Sequence, residues 1–155
     1  MYLMNNNKGD NMTNQETLKM LNDKMAEHGL INQGWVGSLN NRKRALGVCS
    51  FGRKEIKISK AFSNIISSDE ILDTILHEIA HALVGPGMGH GRSWRIMCRK
   101  IGATPTRLAN ASVKPEYRYK CYCPNCGELK QYGFHRRPTR KFICSDCGAI
   151  LEIRQ

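Results

Sequence analysis

The stretch "LHEIAHALVGPGMGHG", residues 76–91, constrains this chain more than any other. It sets His77 and His81 four residues apart, places Glu78 directly after the first, and brings His90 after Gly85, Pro86, Gly87 and Gly89. On a helix, residues four apart lie on one face, about one turn from each other. Two imidazoles so spaced reach one ion from a single rigid element. The H-E-x-x-H pattern adds a general base beside the first ligand.

The surrounding residues predict that helix. Ser67 followed three residues later by Glu70 is a capping-box pattern. Leu72, Ile75, Leu76, Ile79 and Leu83 form one apolar stripe at helical spacing, and Gly85 closes the run. At about 100° per residue, His77, Glu78 and His81 fall on the side opposite that stripe. The stripe is expected to pack on a sheet while the polar sector faces a cleft.

A catalytic zinc takes three protein ligands and keeps one position open. The glycines after the helix permit backbone angles that other residues avoid, and Pro86 resists continuing the helix. The turn can therefore aim His90 at the same ion. Three neutral imidazoles favour a bound water whose pKa falls to about 7, with Glu78 taking its proton. That is the chemistry of peptide-bond hydrolysis. Arg92, beside His90, is the candidate oxyanion donor.

A second metal pattern lies near the C-terminus. Cys123-Pro-Asn-Cys126-Gly and Cys144-Ser-Asp-Cys147-Gly are two C-x-x-C-G turns. Together they predict a closed four-sulfur zinc site that holds together a segment too small for its own core. Cys121 could replace Cys123 with a longer turn, although Cys123 matches the second turn in length. Cys49 and Cys98 read as small core residues. Between the turns, Arg136, Arg137, Arg140 and Lys141 alternate with Tyr132, Phe134 and Phe142. Basic residues would meet phosphates and the rings could stack on bases, or the rings could instead shield the zinc.

Elsewhere, Thr13 and Glu16 cap a helix carrying Leu18, Leu21 and Met25. "GWVGSLN", "RALGVCS" and "KEIKISKAF" read as three short strands, assigned to a small antiparallel sheet. "RSWRIMCRKI" reads as a further helix stopped by Gly102. The expected organisation is a polar disordered tail at 1–12, a core at 13–114 and a cysteine unit at 115–155. Of the composition, charge matters most: net +11 points to a polyanionic partner such as nucleic acid. No run approaches the roughly 18 apolar residues of a membrane span, and no secretory signal opens the chain, so a cytoplasmic setting without membrane contact is expected.

The order of these parts resembles the SprT-like (Spartan-type) metalloprotease family. The resemblance rests on "HEIAHALVGPGMGHGRSW", on the later "YRYKCYCPNCG" and "FICSDCG", and on the upstream "WVGSLNNRKRALGVCSFGRKEIKISKAF". It implies an α+β minigluzincin-like core with helices packed on the sheet, followed by a zinc ribbon. It also implies one catalytic zinc on His77, His81 and His90, with Glu78 as the catalytic glutamate, and one structural zinc on the four cysteines. Association with DNA, single-stranded DNA included, would follow, since characterised Spartan-type members digest proteins covalently crosslinked to DNA. A protein substrate would add as a strand to the edge of "KEIKIS". The rival class is a non-catalytic zinc-ribbon protein that binds nucleic acid and whose histidine zinc is structural.

Overall fold

The computed structural model of the chain describes residues 11–106 and 115–155. The chain divides into two compact units, one running through Pro115 and the other spanning Glu116–Gln155. Most of the expected tail, residues 1–10, lies outside the described residues, as do residues 107–114 at the end of the expected core. Asn11 forms an isolated antiparallel bridge with Ser67, and Met12 packs against the core, so these two residues of the expected tail are part of the fold.

The first unit is mixed α and β. Helix α1 (Asn14–Glu27) starts where Thr13 and Glu16 satisfy each other's backbone N–H groups, at 3.2 and 2.7 Å. It buries Thr17, Leu21 and Met25, one residue per turn on one face. Three strands follow: β1 (Val36–Asn40), β2 (Gly47–Ser50) and β3 (Glu55–Ser59). Ile56 and Ile58 of β3 point into the core, while Glu55 and Lys57, which alternate with them, stay half-buried. A one-turn helix α2 (Lys60–Ser63) leads to α3 (Ser68–Val84), and α4 (Arg92–Ile101) closes the described part of the unit.

The sheet differs from the antiparallel expectation. Its order is β1-β3-β2, with β1 parallel to β3 and β2 antiparallel to it. The chain passes from β1 to β2 without pairing them, and β3 then inserts between the two. Two bonds hold the β1–β2 connection to the end of β3: the buried Ser59 hydroxyl donates to the Arg42 carbonyl, and the Ser59 N–H donates to that of Leu46 at 2.8 Å. Since β3 has a neighbour on each side, the "KEIKIS" strand has no edge to offer. Among the described residues β2 and β1 are the edges.

Helix α3 carries the capping box expected of Ser67 and Glu70 and ends at Gly85, whose φ is 93°. It buries Ile71, Thr74, Ile75, Leu76, Ile79 and Ala80. Full burial of an isoleucine such as Ile75 or Ile79 stabilises the fold by roughly 1.5–3 kcal/mol. Helix α4 contributes the fully buried Trp94 and Cys98.

The second unit is a three-stranded antiparallel sheet of order β5-β4-β6, formed by β4 (Tyr119–Cys123), β5 (Glu128–Phe134) and β6 (Glu152–Arg154). Its small core consists of Cys121, Cys123, Cys144 and Leu151, with Phe134, Phe142, Ala149 and Ile153 packed against it.

Candidate metal centre and cleft

His77 and His81 lie on consecutive turns of α3. The turn after the helix then reverses the chain through Gly85, Gly87 and Gly89, all at positive φ (93°, 81° and 50°), where L side chains are strained. That reversal delivers His90. Its Nε2 lies 3.2 Å from Nε2 of His77 and 3.1 Å from Nε2 of His81. A tetrahedral zinc with bonds of about 2.0–2.1 Å to nitrogen has nitrogen–nitrogen edges of about 3.3–3.4 Å. Three like nitrogens converging at that spacing fit such an ion, and these residues could hold one.

The polar face of α3 is not open, as the helix pattern alone suggested. His77 and Glu78 are each only 8% exposed. Strand β2 covers Glu78, and Trp94 of α4 backs the imidazoles. Burial pushes the Glu78 carboxyl up to about 7. It also lowers His77 and His81 to about 4, with the neighbouring imidazoles adding to the effect, so these two rings are neutral donors near pH 7. A cleft of about 400 Å³ opens over this group. Its wall is β2 and the residues leading into it, from Arg44 through Cys49, then Phe51, opposite His77, Glu78, His81 and His90.

Two further residues hold the group in place, and neither stands out in the sequence. Trp94 is fully buried and touches all three imidazoles. Its ring stacks on His81 (5.3 Å, 24°) and meets His77 and His90 edge to face at 4.7 and 4.6 Å. Its indole N–H donates to the His77 carbonyl at 3.4 Å. Gly47 of β2 is the second. A Cβ built there would lie 2.8 Å from Glu78 Cγ and 2.9 Å from its Oε1. A glycine inside a strand does signal close approach of another group, but not which group. Arg92, by contrast, is exposed at the start of α4 and does not line the cleft, so the oxyanion expectation finds no support there.

In the second unit the sulfurs of Cys123, Cys126, Cys144 and Cys147 all lie within 4.8 Å of one another. Cys123 and Cys147 are 3.5 Å apart, and Cys126 and Cys144 are 3.9 Å apart. The sulfur edge of a tetrahedral zinc site is about 3.8 Å, for bonds of about 2.3 Å, so the set fits. The two turns are built alike: the N–H of Gly127 donates to the Cys123 carbonyl and that of Gly148 to the Cys144 carbonyl, each at 2.9 Å. The Cys147 thiol is lowered to about 6, chiefly by the Ala149 backbone N–H and then by the Asn125 side chain, whereas hydrogen bonds with Cys147 and then Cys123 push Cys126 up to about 12, so the fit to a metal rests on the sulfur geometry. Cys121 is buried in β4, outside the four-sulfur group.

Arg136, Arg137, Arg140 and Lys141 are all exposed in this unit. Phe134 and Phe142 are half-buried and pack on each other at 4.8 Å against the cysteine core, so they shield that core. Arg140 lies over the Phe142 ring at 5.0 Å.

Comparison with known proteins assigns the first unit. The model of the SprT-like family matches residues 14–114, which include all three histidines and Glu78. The chain belongs to the SprT-like family. Protein SprT of Glaesserella parasuis serovar 5 is 24% identical over 73% of this chain and 79% of its own length. Protein SprT of Proteus mirabilis is 25% identical over 74% of each chain. Human germ cell nuclear acidic protein is 28% identical over 75% of this chain, which spans 19% of that protein. No solved structure matched. SprT-like membership suggests a metallopeptidase, and the matched segment stops ahead of the cysteine group. No helix among the described residues is long and apolar enough to cross a membrane.

Proposed function

We propose that the chain is a zinc-dependent endopeptidase that works on DNA, hydrolysing peptide bonds of DNA-bound or DNA-crosslinked proteins in the cytoplasm. The observation that carries it is the convergence of three imidazole Nε2 atoms at 3.1–3.2 Å beside a buried glutamate, on the wall of an open cleft. In this reading residues 13–114 form a minigluzincin-like catalytic core and residues 115–155 a zinc ribbon. His77, His81 and His90 hold the catalytic zinc, and Cys123, Cys126, Cys144 and Cys147 hold the structural one. Bound zinc supplies Lewis-acid polarisation of a carbonyl and activation of water.

The chain's own residues do the rest. Glu78, poised near 7 by burial, accepts a proton from water at its carboxylate and returns it to the departing amine. The β2 edge, rather than the central β3, offers backbone groups to an extended substrate, a mode of binding that would tolerate many side chains. Trp94 keeps the three rings oriented. Arg136, Arg137, Arg140 and Lys141 meet phosphates, where their exposure leaves them available.

The test compares the intact chain with Glu78→Gln on a basic DNA-binding protein, with and without single-stranded DNA. Glu78→Gln should keep both zinc ions and lose cleavage. A fully active Glu78→Gln protein would refute the assigned base. A wild-type chain that binds zinc and DNA but cleaves nothing would favour the non-catalytic alternative.

A further inference from the structure

Helix α4 has two unlike sides. At about 100° per residue, Trp94, Met97, Cys98 and Ile101 share an arc of about 100°, and Arg92, Arg95, Ile96, Arg99 and Lys100 share an opposing arc of about 140°. The burial agrees: Trp94 and Cys98 are buried and Met97 and Ile101 half-buried, whereas the four cations and Ile96 are exposed. The helix contains no acidic residue. None of its four cations forms an ion pair among the described residues. A helix needs only its inner face to dock, so nothing in the packing of the first unit calls for this outer charge.

We infer that the outer face of α4 is a binding surface for the phosphodiester backbone of a nucleic acid, carried by the catalytic unit itself. The inference rests on the DNA-associated reading above, but on different residues from the cations of the cysteine unit. Three features select the ligand. From Arg92 to Lys100 the helix rises about 12 Å, over which one strand of a duplex carries three or four phosphates. Three of the four cations are arginines, whose planar forks match phosphate oxygens. The apolar side of α4 is already buried, so the helix cannot lay that side into a lipid surface. A backbone bound here would lie on the element that holds Trp94 against the three imidazoles and follows His90 by two residues. The surface therefore keeps nucleic acid close to the cleft even where the cysteine unit is not engaged.

The test uses the full chain and a fluorescein-labelled single-stranded oligonucleotide, with affinity measured by anisotropy across a salt series. Arg95→Gln, Arg99→Gln and Lys100→Gln are combined, leaving Arg92 untouched because it neighbours His90. Loss of three phosphate contacts should weaken binding on the order of 10–100-fold at about 0.1 M salt and flatten the log–log salt slope by about two. The Lys-for-Arg control, Arg95→Lys and Arg99→Lys, keeps the charge and should keep the slope. A second variant, Arg136→Gln, Arg137→Gln, Arg140→Gln and Lys141→Gln, should retain the α4 share of the slope. Unchanged affinity and slope in the α4 variant, with binding lost in the second variant, would overturn this inference and leave the DNA-associated reading standing. A wild-type chain that does not bind the oligonucleotide would overturn both. An α4 variant that loses binding to poly-glutamate but not to the oligonucleotide would reassign the face to an acidic protein and overturn the proposal.

Discussion

Gly47 and Glu78 lie so close that no other residue fits at position 47 without displacing the glutamate: an added Cβ would sit 2.8 Å from Glu78 Cγ. Glu78 is fixed by its helix, and Gly47 by its pairing with Ile58 across β2 and β3, so the strain falls on the carboxylate. Overpacking of this kind costs about 1–3 kcal/mol. Gly47→Ala should therefore keep its metal and lose stability only modestly. Displacing a base by about 1 Å can cost about 10²-fold in rate, so kcat/KM for a protein substrate should fall by up to that factor. Equal kcat/KM in Gly47→Ala and wild type would show that Glu78 needs no such clearance.

What was legible in the sequence was local. Both capping boxes, the stop at Gly85 and the limits of α4 followed from side chains within a few residues of one another. The three histidines were legible because helical spacing and a glycine turn are local too. Strand order was not, because alternation tells which face a residue takes and says nothing about which strand lies beside it. Hence β3 proved central, and β1 and β2 are the edges among the described residues. Trp94 was hidden for a related reason: an apolar residue on the inner stripe of α4 looks like any core residue until the chain brings three imidazoles to it.

Trp94 should tune metal affinity apart from fold stability. Trp94→Ala leaves a large void and should cost about 3–5 kcal/mol, which would obscure any effect on the site. Trp94→Phe is the informative change, since it keeps a ring in the space and removes the indole N–H that donates to His77. Groups that orient metal ligands typically contribute about 10–100-fold in affinity, so Trp94→Phe should bind zinc at least several-fold more weakly in a chelator competition. An unchanged affinity with a lowered Tm would reduce Trp94 to a space filler.

Glu55 links β1 to β3 through a proton-sensitive contact. The Ser38 hydroxyl donates to its Oε1 at 2.8 Å, Lys57 lies 3.1 Å from Oε2, and the two hold the carboxyl below its ordinary 4.5, the serine most. A carboxyl whose pKa is depressed by folding stabilises the native state fully above its unfolded pKa, and that stabilisation is lost as pH falls through the folded value. Ser38→Ala should thus lower Tm at pH 7, and the gap from wild type should narrow as pH drops below 4.5. Thermal unfolding of both proteins between pH 7 and pH 3 reads this directly. A gap that stays constant over that range would mean the Ser38 contact is not proton-linked.

The cysteine unit yields the sharpest test of ligand identity, because Cys121 and Cys123 sit two residues apart in β4 and are both buried, yet only one joins the four-sulfur group. Cys123 belongs to the four-sulfur group, while Cys121 packs with Leu151 in the small core. A unit with so few buried apolar residues would draw much of its stability from a metal held by these sulfurs. Cys144→Ser should therefore release one zinc per chain and remove amide-exchange protection from β4, β5 and β6, while α1 and α3 stay protected. Cys121→Ser should keep its metal and lose only packing stability. If Cys121→Ser releases the zinc, or Cys144→Ser retains it, the four ligands named for this site are wrong.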